Sequence, residues 1–269
     1  MRGDFVGHDR RLAGSHIGGE IIKIALVGAT GLIGSKVLAE ASRRGHTITA
    51  MCRNPDKVPA LSGVTSRKVD ILTRRQAEVA FAGHNIVISC FNSGHNPAPG
   101  QNVYMDIIDG VANMIKATKS SGVNRLLFVG GAGALYASPG TQMIDLSMFN
   151  SGEISGTDWP EGLAAKMPPE FALWEKVLRK DIKHEHVRPL VHALMFFEHD
   201  RTYDWSFFSP PAGLHPGSGK GIYLAGTNQV PMNGDKFAGL AIEDAAIAIV
   251  DELETNAHNH QHWTAYTPT

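Results

Sequence analysis

Cysteine is scarce in this chain: only Cys52 and Cys90 occur in 269 residues, and neither sits in a metal-ligand or CxxC spacing. That scarcity excludes a disulfide framework and points to a reducing compartment, here expected to be cytoplasmic. Long apolar runs are missing too. No stretch holds the roughly 18 uncharged apolar residues of a spanning helix, so no membrane partner is expected. Neither charge sign is in excess: 25 Lys and Arg stand against 26 Asp and Glu, which removes the global field that would draw nucleic acid or anionic lipid. A small-molecule substrate is the partner left, with a homodimer kept open. Residues 1–20 lack the apolar core of a secretory signal and, rich in Gly, Arg and His, read as a flexible leader.

What is present is an alternation of strand and helix signals. The run from Ile21 to Val27 is apolar and β-branched, as suits a parallel strand buried on both faces. Residues 32–44 read helical, with Leu32, Ile33, Val37, Leu38 and Ala41 on one face and Gly45 closing the helix. Strands follow at Thr47–Cys52, Thr65–Val69, Asn85–Ser89 and Arg125–Val129, separated by helices at Arg74–Phe81 and Val103–Ser120. With Cys52 ending the second strand and Cys90 the fourth, the first strand lies between them and forbids a bridge. After Val129 the texture changes. Gly130–Pro168 is loop-rich and long enough to be a candidate active-site segment. Pro169 opens a helix over residues 170–180, another spans roughly 184–199, Asp204–Phe208 is a strand, Ser209–Lys220 a turn-rich loop and Ile242–Leu253 the last clear helix.

Gly28, Gly31 and Gly34 form a GxxGxxG directly after a strand and directly before a helix. Gly28 permits the tight turn, Gly31 lets a pyrophosphate approach the backbone, and Gly34 lets helix and strand pack closely, while the helix N-terminus faces the phosphates. The alternative is a Gly-rich turn with no ligand. The expected fold is therefore α/β, a Rossmann doubly wound parallel sheet. Residues 21–269 make one domain, with a small C-terminal substrate lobe from about 130–170 and 209–240.

Folds of this kind that select NAD place Asp or Glu at the end of the second strand. This chain has Met51-Cys52-Arg53-Asn54 there. A guanidinium suits a 2′-phosphate, so NADP(H) is favoured over NAD(H), with Lys57 in support. Arg53 as a solvated strand-end charge is the competing reading. Asp70, at the end of the third strand, is placed to accept from the adenine amino group or else to cap the next helix. Thr73 is the better placed cap, which frees Asp70 for the cofactor.

The segments IALVGATGLIGSKVLAEASRRGHTITAMCRNPDK, Val69-Asp70, VISCFNSG, LLFVGGAGAL and DWSFFSPP resemble those of atypical short-chain dehydrogenase/reductases, the NAD(P)H-binding, NmrA-like and biliverdin-reductase-B-like proteins. The resemblance spans about residues 21–265 and is most specific in the first 115 of these. It implies that Gly28, Thr30, Gly31, Leu32 and Ile33 line the pyrophosphate, Arg53 the 2′-phosphate, and Asp70 with Ile71 the adenine. Cys90, Phe91 and Asn92 would flank the ribose; Gly130, Gly131, Ser209, Pro210 and Pro211 would border the nicotinamide.

The departures from the larger family concern chemistry. Its alcohol dehydrogenases use a Tyr-x-x-x-Lys pair and a Ser after the fifth strand, the Lys lowering the phenol pKa so that Tyr works as a base. Here Gly130 and Gly131 occupy the Ser region, Phe171 stands at the Tyr position and Glu175 at the Lys position. Tyr136 is the best substitute donor, with a packed loop aromatic as the alternative. His192 and His199 fall seven apart on one helix face and are further candidates, against the commoner structural histidine. His258, His260 and His262 alternate but lack a supporting carboxylate or Cys, so no metal site is read from them. Of the aromatics Trp159, Phe171, Trp174, Phe196, Phe197, Trp205 and Phe207, most are expected in the core and two or three at an apolar pocket. These features lead to an NADPH-dependent reductase of a flat conjugated acceptor such as a quinone or flavin. The alternatives are a non-catalytic NmrA-like redox sensor and an isomerase or dehydratase using NADP transiently.

Overall fold

In the computed structural model, residues 10–12, 20–93, 99–145, 187–234 and 236–268 are described. The apolar run that opens at Ile21 settles into the strand Lys23–Val27, whose last four side chains are buried because it is paired on both edges and covered on both faces. Nine strands share one sheet: β1 (Arg10–Leu12), β2 (Lys23–Val27), β3 (Thr47–Cys52), β4 (Val64–Lys68), β5 (Ile86–Ser89), β6 (Arg125–Val129), β7 (Asp204–Phe208), β8 (Ile222–Gly226) and β9 (Gln261–Tyr266). Their order is β1-β8-β9-β7-β6-β5-β2-β3-β4. From β4 across to β9 every pairing is parallel, while β8 and β1 add to that edge antiparallel. The strand order reverses between β2 and β5, and this is where a ligand crevice opens in a doubly wound sheet.

Among the described residues five helices flank the sheet: α1 (Gly34–Arg43), α2 (Arg74–Phe81), α3 (Val103–Ser120), α4 (Arg188–Glu198) and α5 (Ile242–Thr255). α1 and α5 pack together on one face over Leu26, Ile48, Ile88 and Trp263. α2, α3 and α4 cover the other over Val87, Leu126, Phe128 and Phe207. Arg44, just past α1, ties that layer together: its guanidinium donates to Glu40 (2.8 Å) and, across to α5, to Asp251 and Glu254 (2.7 Å each). Burial alone would depress its pKa, but these carboxylates outweigh burial and hold it protonated. Both cysteines are free, Cys52 ending β3 and Cys90 following β5 with β2 between them. Among the described residues no helix is long and apolar enough to cross a membrane.

Several expectations need correction. Residues 10–12, inside the stretch read as a leader, pair with β8. β8 and β9 lie in segments where the sequence reading places no strand. The three tail histidines do not converge. His258 Nδ1 bonds the buried Glu252 at 2.8 Å, His260 Nε2 lies 2.9 Å from the Tyr203 carbonyl, and His262 Nε2 lies 2.9 Å from Ser209 Oγ. Phe197, Trp205 and Phe207 are core residues, whereas Phe196 is exposed. The expected helix at 170–180, with Trp159, Pro169, Phe171, Trp174 and Glu175, lies outside the described residues.

Candidate active site

β2 runs straight into Gly28, whose φ of +76° is one that glycine adopts without strain. Its N–H donates to the Met51 carbonyl at the end of β3 (3.0 Å), and a Cβ there would stand 2.5 Å from the Cys90 carbonyl oxygen after β5. The turn is thus threaded between two strand ends, and the steric space admits hydrogen alone. Gly34 closes the cradle: a Cβ on it would collide with the Gly28 carbonyl and press on Cys90. Gly31 is different, since its backbone is ordinary and only the Gly28 oxygen, at 3.2 Å, comes near a Cβ. α1 then starts with no side-chain cap and no acidic residue in its first turn, so its N-terminal amides and the positive end of its dipole have no competing anion.

In front of this turn lies a cleft of about 480 Å³ over the carboxyl ends of the central strands. Gly28, Thr30, Gly31, Leu32 and Ile33 line it from the turn, Arg53 from the end of β3, and Asp70 and Ile71 from beyond β4. Cys90, Phe91 and Asn92 line it from beyond β5 and Gly130 from beyond β6. Residues that sequence reasoning missed also line it: Leu72, Ser93, Gln101, Asp106, Val129 and Leu190. Asn102 caps α3 by accepting from Met105 N (3.1 Å), and that cap, legible in the chain, was the signal that would have brought Gln101 and Asp106 to the crevice. Gln101 Nε2 donates to Asp106 Oδ2 at 2.6 Å.

The cleft fits a dinucleotide. Leu32, 68% exposed, and Leu72 present apolar surface to solvent beside the polar turn, as a ligand's flat base would use. Arg53 is exposed and makes no hydrogen bond or ion pair with the described residues. Its backbone is set by Asn54, which caps a short turn by accepting from Asp56 N (3.2 Å). Asp70 is more engaged than expected: Oδ1 accepts from Leu72 N (3.0 Å) and Oδ2 from Thr73 Oγ1 (3.5 Å), while Thr73 provides no cap. Burial pushes the Cys90 thiol up to about 12, so it packs as a neutral group.

Four residues assigned to the nicotinamide side lie elsewhere. Gly131 faces Leu190 from just outside the cleft, its Cβ position 3.5 Å from Leu190 Cδ1. Ser209, Pro210 and Pro211 are buried, because the chain leaving β7 turns beneath β9: Ser209 N donates to the Trp263 carbonyl (2.8 Å). At Gly130 a Cβ would run into the Phe207 ring, so the core denies this position the serine of the alcohol dehydrogenases.

Tyr136 and His192 come together, but not in this cleft. They line a groove of about 340 Å³ running along α4, where Arg188, Val191, His192, Met195 and Glu198 form one stripe opposite Tyr136, Gln142, Ile144 and Asp145. His192 Nδ1 is 2.5 Å from Tyr104 Oη on α3. Burial, with Glu198 and Asp145 nearby, raises the Tyr136 pKa, so this phenol stays protonated and is no base. His199, expected beside His192, instead folds back onto the Met195 carbonyl (3.0 Å) at the end of α4.

Fold and cleft together are those of a Rossmann-type dinucleotide-binding protein. Residues 28–154 match the model of the NAD(P)H-binding family. YwnB, an uncharacterized protein of Bacillus subtilis (strain 168), is 29% identical over 247 residues, spanning 90% of this chain and 97% of that one. A solved structure from Bacteroides thetaiotaomicron, provisionally described as an epimerase, is 29% identical with a TM-score of 0.72 over 93% of this chain and 99% of the other. One from Streptococcus pneumoniae, provisionally described as an NADH-flavin reductase, shares the fold at 23% identity, with a TM-score of 0.68 over 91% and 99%.

Proposed function

We propose that the protein is an NADPH-dependent oxidoreductase that passes hydride to a small conjugated acceptor such as a quinone or flavin. The observation that carries this reading is the composition of the cleft: among the described residues no Tyr, Lys or His lines it, and its two carboxylates are engaged, Asp70 by Leu72 N and Thr73 Oγ1 and Asp106 by Gln101 Nε2. Alcohol oxidation needs a base at the reacting hydroxyl. Hydride addition to a conjugated ring does not, because the electron pair is delocalised to an atom away from the point of attack. The glycine turn and the open end of α1 hold the pyrophosphate, and Arg53 pairs with the 2′-phosphate. Phe91, Asn92, Gly130 and Leu190 border the far end, where they orient the ring and exclude water. When bound, the nicotinamide supplies the hydride.

The test is NADPH and NADH oxidation by the purified protein against a panel of quinones and flavins, followed by the loss of nicotinamide absorbance. Turnover favouring NADPH is expected, and tight NADPH binding without turnover on any acceptor overturns the reading. The description of the Bacteroides structure favours a second reading, an epimerase using the cofactor transiently. It requires conversion of a chiral substrate with no net NADPH consumed.

A further inference from the structure

We infer that Asp106, held by Gln101, reads the adenine of the dinucleotide: its carboxylate accepts from the exocyclic amino group and turns away 6-oxopurines. This rests on the dinucleotide part of the reading above and is independent of the acceptor. In this fold the adenosine ribose lies at the end of the strand that follows the glycine turn and its helix, here β3. The adenosine side of the cleft therefore runs from the turn past Arg53 to Asp70, Ile71 and Leu72. One face of α3 is turned to that side. Asn113 Nδ2 donates to the Leu72 carbonyl at 2.9 Å and to the Ile71 carbonyl at 3.3 Å, and a Cβ on Gly110 would stand 2.5 Å from the Phe91 ring. Asp106, Gly110 and Asn113 are spaced by four and then three residues, which puts them on that one face. Asp106 thus stands two turns, about 10 Å, beyond Asn113 toward the open end of α3, and it lines the same cleft as Ile71 and Leu72. Leu72, 41% exposed, offers a flat base its apolar seat.

The hydrogen bonding singles out Asp106. Asp70 has both oxygens occupied within its own loop, Oδ1 by Leu72 N and Oδ2 by Thr73 Oγ1. Asp106 has one: Oδ2 accepts from Gln101 Nε2 at 2.6 Å, and among the described residues nothing donates to Oδ1. Gln101 precedes the Asn102 cap and Asp106 is the fourth residue after it, a pair of positions that many helices close with an apolar contact. Here both are polar, and both line the cleft. A carboxylate carries no hydrogen to give, so Oδ1 calls for a donor on the ligand. Adenine presents an N–H at carbon 6, whereas hypoxanthine and guanine present a carbonyl oxygen that a carboxylate repels. An acid in the first turn also suits the helix dipole, but that role concerns every ligand alike. Gln101, acting through Asp106, is a positioning residue.

The experiment is calorimetric titration of the full chain with NADPH, with its hypoxanthine analogue and with adenosine 2′,5′-bisphosphate. The wild type should prefer NADPH over the hypoxanthine analogue about 10- to 100-fold, the value of one hydrogen bond to a charged group. Asp106→Asn can turn either its oxygen or its NH2 to the base, so the two dinucleotides should come within about threefold of each other. The same variant should weaken adenosine 2′,5′-bisphosphate as much as NADPH. Gln101→Met tests the bond from its other end and should narrow the preference, where a merely structural role would weaken both dinucleotides equally; Asp70→Asn should retain it. Equal wild-type affinities, a preference that survives Asp106→Asn, or one lost in Asp70→Asn overturns this proposal and leaves the reductase reading standing. An Asp106→Asn effect on NADPH that spares adenosine 2′,5′-bisphosphate puts the carboxylate on the nicotinamide half and overturns it too. Failure to oxidise NADPH with any acceptor overturns the reductase reading alone, since these affinities need no turnover. No NADPH binding overturns both.

Discussion

At Gly28 two independent constraints coincide, a left-handed backbone and a carbonyl oxygen 2.5 Å from where a methyl would stand. The left-handed region alone costs a non-glycine residue about 1 kcal/mol, and the Cys90 carbonyl cannot retreat without disturbing β5. Gly28→Ala should therefore lose about 2 kcal/mol or more in urea unfolding, together with NADPH binding. Gly31→Ala provides the contrast. Its backbone is ordinary and its nearest obstacle is 3.2 Å away, so stability should change by less than about 1 kcal/mol while NADPH titration shows weakened binding, the new methyl occupying the cleft. Arg53 is exposed and holds nothing in place. Arg53→Ala should leave unfolding unchanged and raise the Kd for NADPH about 10- to 100-fold, the value of a charge-assisted hydrogen bond, with NADH affinity unaltered. An unchanged preference for NADPH over NADH removes Arg53 as the selector.

Between elements, Arg44 is where the α1–α5 layer is most exposed to a single change. Its side chain is 8% accessible, and three carboxylates, Glu40, Asp251 and Glu254, share it. Arg44→Met keeps the length but removes the one cation shared by all three, leaving Glu40 to Arg43, Glu254 to His46 and Asp251 to the Tyr223 hydroxyl. The urea midpoint should fall by the equivalent of about 3 kcal/mol, with cofactor affinity in the folded protein retained. Elements built on local periodicity were legible in the chain: β3, α2, α3, β6 and β7 have the bounds their patterns predict. The glycine turn was legible too, since each glycine answers a steric demand within a few residues. β9 was not, because Gln261–Tyr266 alternates weakly and becomes a strand through parallel pairing with β7, far away in the sequence. The same distance hid the groove. Tyr104 and His192 meet because α3 and α4 pack side by side, and nothing in either helix alone specifies that register.

For the whole molecule, β9 carries the sheet from β7 to its antiparallel edge, and one partly buried histidine on it makes global stability depend on pH. Burial lowers the His262 pKa to about 4; Nε2 faces Ser209 Oγ, and Nδ1 is buried with no partner. The folded protein therefore keeps this imidazole neutral at pH values where the unfolded chain, titrating near the ordinary histidine value of 6.5, binds a proton. Between those two values the unfolded state holds more protons, so stability rises with pH across that window and falls as the pH drops from about 6.5 toward about 4. At 1.36 kcal/mol per pH unit the loss approaches about 3 kcal/mol. Asp200, brought down to about 2 because hydrogen bonds from Lys119 and Thr202 outweigh its burial, contributes a smaller, solvent-screened loss only at lower pH, below its ordinary value of 3.8. The two effects therefore separate along the pH axis. Urea unfolding of the wild type and His262→Gln at pH 7, 6, 5 and 4 should give curves that converge as the pH falls, the wild type losing about 3 kcal/mol more than the variant. Parallel curves would mean that His262 takes up its proton without unfolding, and that the β7–β9 seam opens to water on its own.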